Sequence, residues 1–228
     1  MSEPFRIEIP AGETVGACAY PAAASVRRGI TLLLAHGAGA GQTSVFMVRC
    51  ASGLAARGLD AVTFNFPYIE RGRRVPDPNA ELEGCCRAAI AAVRAREQFG
   101  GTLAVGGKSM GGRIASQVAA AAGENIAALV FLGYPLHPPG NPRQLRASHL
   151  AKIAAPMLFV QGSRDAFGAP QELRPILAKL AAPADLHVVE NADHSFKVPK
   201  RAGVAQEDVY DAVLDRVADW LPQIPAYR

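Results

Sequence analysis

No apolar run in the 228 residues approaches the roughly 18 needed to cross a bilayer. The opening MSEPFRIEIP has neither the charged nor the apolar region of a secretory leader. A chain working in the cytoplasm, with no membrane partner, is expected. Cysteine is sparse: Cys18, Cys50, Cys85 and Cys86 lack the paired spacing of a zinc site, and two are adjacent. Buried, reduced thiols and no bound metal are expected. Charge of one sign is also lacking. The 24 basic and 20 acidic residues leave +4, and only Arg71, Arg73 and Arg74 gather into a cluster. That argues against nucleic acid as a partner. There is no internal repeat, no low-complexity tract and no convincing linker. With half the residues hydrophobic, one globular domain over residues 1–228 is expected.

What is present is an alternation of short apolar runs with longer helical patterns, the mark of an α/β protein with a mostly parallel central sheet flanked by helices. FRIEIP and TVGACAYP read as a hairpin turning around Ala11 to Glu13. Strands follow in ITLLLAHG, DAVTFNFP, TLAVGG, IAALVFLGYP, APMLFVQG and ADLHVVEN. Helices are expected near 44–57, 79–98, 110–122, 170–181 and 206–221, the last with Val209, Val213, Val217 and Leu221 on one stripe. Proline and glycine gather in IERGRRVPDPN and HPPGNPRQ, which read as loops at the carboxyl ends of strands, where open α/β sheets hold their ligands. The second is too short for a separate lid domain, so an open site is expected.

The segment AVGGKSMGGR, residues 104–113, admits two chemical readings. A phosphate-cradling loop of the form G-x-x-x-x-G-K-S/T needs a glycine where Thr102 stands, and the intervening TLAV reads as strand rather than loop. The alternative, G-x-S-x-G, is met by Gly107, Ser109 and Gly111, with a strand before and a helical pattern after. That is the setting of a nucleophile elbow, in which a serine sits on a strained turn between strand and helix.

A serine hydroxyl needs a base to take its proton, and the base an acid to orient it. Asp165 lies just past APMLFVQG, and His194 just past ADLHVVEN. Both fall at the same sheet edge as Ser109 and in the order acid then histidine that an elbow of this type uses. Asp193 is a competitor for the acid, disfavoured because a neighbouring side chain rarely reaches back to the next ring. His187 reads as a strand residue, and His137 and His149 precede the acid, which weakens them as bases. An oxyanion hole would take one N–H from Met110 at the helix start and a second from AHGAGAG after ITLLL, with Ala38 the first choice and Gly39 the second. His36 reads as a hydrogen-bonding turn residue. Phe66, Tyr68 and Ile69 are candidates for an apolar substrate wall, with Phe167 nearby. Arg71, together with Arg73 and Arg74, is a candidate to receive an anionic part of the substrate, against the plainer reading of a solvated loop. Lys108 reads as a salt-bridge residue.

With HGAGAG, GKSMGG, GSRDAFG and NADHSF in this order, nearly the whole chain resembles the α/β-hydrolase superfamily. FNFPYIERGRRVPD, GGKSMGGR and NADHSFKVP look like the small lidless group related to dienelactone hydrolases and to the testis-expressed hydrolase-like proteins. The resemblance implies Ser109 as nucleophile, His194 as general base, Asp165 as its orienting acid, and no cofactor. It departs from true dienelactone hydrolases, which carry cysteine at the nucleophile position. A small-molecule ester of small or medium acyl length is the expected substrate. Thioesterase or acyl-protein hydrolase activity uses the same three residues. A non-enzymatic interaction module is the alternative from another class, because some members of the wider group serve as scaffold components.

Overall fold

The computed structural model describes residues 2–10, 12–99, 101–121 and 123–224. Eight strands form one sheet: β1 (Glu3–Glu8), β2 (Thr14–Tyr20), β3 (Ile30–Ala35), β4 (Asp60–Phe64), β5 (Thr102–Lys108), β6 (Ala128–Leu132), β7 (Met157–Gly162) and β8 (Ala184–Val189). Their order across the sheet is β1-β2-β4-β3-β5-β6-β7-β8. β1 and β2 run antiparallel to their neighbours, and β3 through β8 are mutually parallel. The turn of the β1–β2 hairpin includes Ala11, which lies outside the described residues.

The continuous apolar runs are continuous because both faces of the sheet are covered. In β3 the side chains alternate: Leu33 and Ala35 belong to one core, Ile30, Leu32 and Leu34 to the other. The first core is closed by α3 (Asn79–Arg94), α4 (Met110–Ala120) and α5 (Pro170–Leu177), and the second by α1 (Val45–Ala56) and α6 (Gln206–Trp220). The stripe of Val209, Val213, Val217 and Leu221 is buried in that second core, as fourfold spacing on a helix requires.

Several boundaries differ from the sequence pattern. The helix near 79–98 ends at Arg94, and Glu97–Phe99 tighten into a 3-10 turn. The helix expected to reach 122 ends at Ala120, residue 122 itself lying outside the described residues, and the one expected to reach 181 ends at Leu177. Pro67–Glu70 form one helical turn, α2, because Pro67 at its first position carries a preset helical φ and lacks the N–H that would go unpaired there. A short 3-10 helix, Ser148–Lys152, follows the loop after β6. Among the described residues no helix is long and apolar enough to cross a membrane, and no group of three or more His, Cys, Asp or Glu is placed to hold a metal ion.

Candidate active site

β5 lies near the middle of the sheet, and the chain turns from it into α4 at a single residue, Ser109, with φ 51° and ψ −117°. A non-glycine residue at positive φ is strained, and it persists only where its surroundings over-determine it. Here they do. Ser109 N–H donates to the Leu132 carbonyl at 3.1 Å, and its own carbonyl accepts from Arg113 N–H at 3.1 Å. Two glycines permit close approach to the Ala35 carbonyl oxygen at the end of β3: a Cβ on Gly111 in α4 would stand 2.3 Å from it, and one on Gly107, its sheet partner in β5, 2.2 Å. A larger residue at Gly111 would push α4 away from β3, and one at Gly107 would force β5 and β3 apart.

The turn holds Ser109 Oγ 2.8 Å from His194 Nε2. His194 Nδ1 lies 2.8 and 3.0 Å from the two oxygens of Asp165. A carboxylate only accepts, so the proton is on Nδ1 and Nε2 is left free to take the hydroxyl proton. The Asp165 side chain is fully enclosed. It also accepts from Phe167 N–H at 2.8 Å and from the amide of Gln161 at 2.8 Å. Gln161 also accepts from Tyr134 N–H and donates to the Gly168 carbonyl, tying the ends of β6 and β7 around the acid. The Phe167 ring stacks on the imidazole, with centroids 4.1 Å apart. Asp193, the competing acid, is turned away: its Oδ1 caps the N–H groups of Ser195 and Lys197 within its own loop.

Lys108 Nζ donates to the His194 carbonyl at 2.5 Å and lies within 6 Å of the Phe46 and Phe196 rings. Burial holds this ammonium down to about 8, against a partial upward pull from Asp165. The salt bridge expected of Lys108 is absent among the described residues; a backbone carbonyl is its partner. Neither Gln161 nor Lys108 was found by sequence reasoning in this supporting role. The available signal for Gln161 was an amide ending an otherwise apolar strand run.

The N–H of Met110 and that of Ala38 have no internal acceptor among the described residues. Gly39 N–H, by contrast, donates to Tyr68 Oη at 3.3 Å, so Gly39 is withdrawn as the alternative donor. His36 is buried and neutral, pushed down to about 4 by burial. Its Nε2 accepts from Phe66 N–H at 3.0 Å while Nδ1 donates to the Gly37 carbonyl, which joins the ends of β3 and β4 and shapes the turn bearing Ala38.

Of the five expected substrate-binding residues, Phe167 lines the cavities at Ser109, and the other four do not. Phe66 and Tyr68 are wholly buried because their rings pack against His36 and Phe64 in the core. Ile69 packs against Gly41. Arg71 is taken up by Glu13 at 2.7 Å, Glu81 at 2.5 Å and Asp77 at 3.5 Å, so it is a structural ion-pair residue rather than an anion receiver.

Two cavities meet at Ser109. One of about 660 Å³ is lined by His194, Phe46, Val45, Arg49 and Tyr210; the other, of about 230 Å³, by Met110, Arg113, Arg146, Asp77 and Pro135. Ala38, Ser109 and Phe167 border both. A second serine and histidine pair, Ser116 and His149 at 2.7 Å, is of another kind. Ser116 is buried within α4, and among the described residues no carboxylate backs His149, which burial pushes down to about 4.

Residues 28–222 match the model of an alpha/beta hydrolase domain family. Among solved structures the chain is similar to a Xanthomonas campestris protein described as an α/β serine hydrolase without a lid, at 21% identity, TM-score 0.74, covering 100% of this chain and 97% of that one. It is similar to the dienelactone hydrolase of Anabaena variabilis at 19% identity and TM-score 0.75, with 98% of each chain covered. The esterase domain of a Rhodothermus marinus protein aligns at 15% identity and TM-score 0.73, over 98% of this chain and 99% of that one. Likeness at these identities bears on the fold.

Proposed function

The chain belongs to the α/β hydrolase family, and from that premise we propose that it is a serine hydrolase cleaving carboxylic esters of small or medium acyl groups. The carrying observation is the continuous hydrogen-bond chain from Ser109 Oγ through His194 to the enclosed Asp165, opening onto two cavities. Ser109 Oγ attacks the ester carbonyl while His194 Nε2 takes its proton. Asp165 holds the ring and stabilises the imidazolium that forms. The carbonyl oxygen gains negative charge between the N–H groups of Ala38 and Met110, the second at a helix N-terminus whose dipole favours an anion. His194 then returns the proton to the departing alcohol. Water, deprotonated by the same nitrogen, releases the acyl group and restores Ser109.

No step calls for a metal or cofactor. Cys18, Cys50, Cys85 and Cys86 are all free, and burial raises the last three far above the ordinary thiol range, which fits unreactive thiols in a reducing compartment such as the cytoplasm.

Labelling with a fluorophosphonate probe followed by peptide mass spectrometry tests the reading. Modification at Ser109 is expected in the parent and none in His194→Ala, with Asp165→Asn slowing ester hydrolysis about 10⁴-fold through the wrong tautomer. A correctly folded parent left unlabelled would sink the proposal and favour a hydrolase-fold interaction module. Matched oxygen and sulfur esters then decide between esterase and thioesterase.

A further inference from the structure

The position of His194 assigns the two cavities, given the hydrolase reading above. The departing oxygen receives its proton from Nε2, so the leaving group extends into the larger cavity that His194 lines, and the acyl group into the smaller one beside Met110. At about 230 Å³ the smaller cavity is below the ~300–1,000 Å³ of drug-sized sites and suits a short acyl chain.

Its wall carries two arginines that form no ion pair among the described residues, although the charge of Glu83 acts on Arg113 from a distance. Arg113, one turn into α4, donates only to the neutral amides of Gln117 at 3.1 Å and Asn79 at 3.3 Å, and its Nε is buried without any partner. Arg146 is half-buried on the loop after β6 and makes no side-chain hydrogen bond or ion pair among the described residues. The two are close enough that Arg146, after burial, is the main cause lowering Arg113. The anion in this wall is Asp77, and its Oδ1 is already held by Arg73 at 2.5 Å and Arg71 at 3.5 Å. Its Oδ2 is buried without a hydrogen-bond partner. Asp77 is engaged by arginines outside the pocket, and the two guanidinium groups that share the pocket are each without an ion-pair partner among the described residues, so they lack the group they bind best, a planar carboxylate.

We propose that the Arg113 and Arg146 pocket is an acyl subsite for a carboxylate, so that the favoured substrates are half-esters of short dicarboxylic acids. The reaction is ordinary hydrolysis: water adds, the alcohol leaves from the His194 side, and a free dicarboxylate departs from the arginine side.

Benzyl hydrogen succinate and benzyl butyrate test this, because their acyl chains match in length and differ in a carboxylate against a methyl group. The ratio of their kcat/KM values is expected to favour the succinate by at least about tenfold in the parent and to fall about tenfold in Arg146→Gln, mainly through KM. Arg146→Lys should restore part of it. Arg113→Gln, expected to act the same way, is the second variant. A parent ratio of one or below, or a ratio that Arg146→Gln leaves unchanged, would overturn the subsite. Binding is read separately from turnover by adding succinate to Ser109→Ala and following its thermal midpoint. A rise that disappears when Arg146→Gln is added supports the subsite even if no ester is cleaved, and no rise at saturating succinate counts against it. Failure of the hydrolase reading would appear instead as unlabelled Ser109.

Discussion

Ser109 holds its place between β5 and α4 at a conformational cost. Its φ of 51° with ψ −117° suits glycine far better than any residue with a Cβ. Ser109→Gly should therefore be more stable than Ser109→Ala by about 1 kcal/mol, although both lack the proposed nucleophile. Equal urea midpoints for the two would mean that the elbow is unstrained. Lys108 is strained electrostatically rather than sterically. Burial holds its ammonium down to about 8 from an ordinary 10.5, so between those values the folded chain binds fewer protons than the unfolded one. Stability through this group consequently rises as pH climbs through that window. The unfolding free energy of the parent minus that of Lys108→Met should grow by about 2 kcal/mol from pH 7 to pH 10. A difference flat with pH would show that Lys108 titrates normally. At this scale Ser109, Asp165 and His194 were legible because each ends or follows an apolar run. Phe66, Tyr68, Ile69 and Arg71 were misplaced because a loop's position along the chain does not say which way its side chains turn.

At the scale of elements, the site depends on how closely α4 lies against the sheet. Gly111 faces the Ala35 carbonyl so tightly that an added Cβ would sit 2.3 Å from it. Gly111→Ala should cost about 3 kcal/mol, because the obstruction is backbone and cannot rotate aside. Chemical denaturation measures the loss, and ester hydrolysis should fall with it, since α4 carries Met110. Full stability in the variant would mean that α4 can slide without harm. The mostly parallel sheet was legible, because unbroken apolar runs between helical patterns imply one covered on both faces; the order of its strands was not. The one-turn helix Pro67–Glu70 and the 3-10 helix Ser148–Lys152 were not, being too short to show a period.

Across the whole molecule, both cores rest on one sheet, and the single tryptophan reports on the second of them. Trp220, near the end of α6, donates its Nε1 proton to Asp185 on β8 at 2.5 Å. If the chain is one cooperative domain, Trp220 fluorescence and far-UV circular dichroism should lose their folded signals at the same urea midpoint. Separate midpoints would divide it into independently folding parts. The sequence by itself determined the α/β class, the elbow and the identity and order of the three residues joined through His194, because apolar period, turn chemistry and chain order are local properties. Only the tertiary structure decided the rest. Gln161 meets Asp165, Lys108 meets the His194 carbonyl, and Arg113 and Arg146 come to line one pocket. Each of those contacts joins different loops or elements, and a side chain's partner across space follows from packing rather than from its place in the chain.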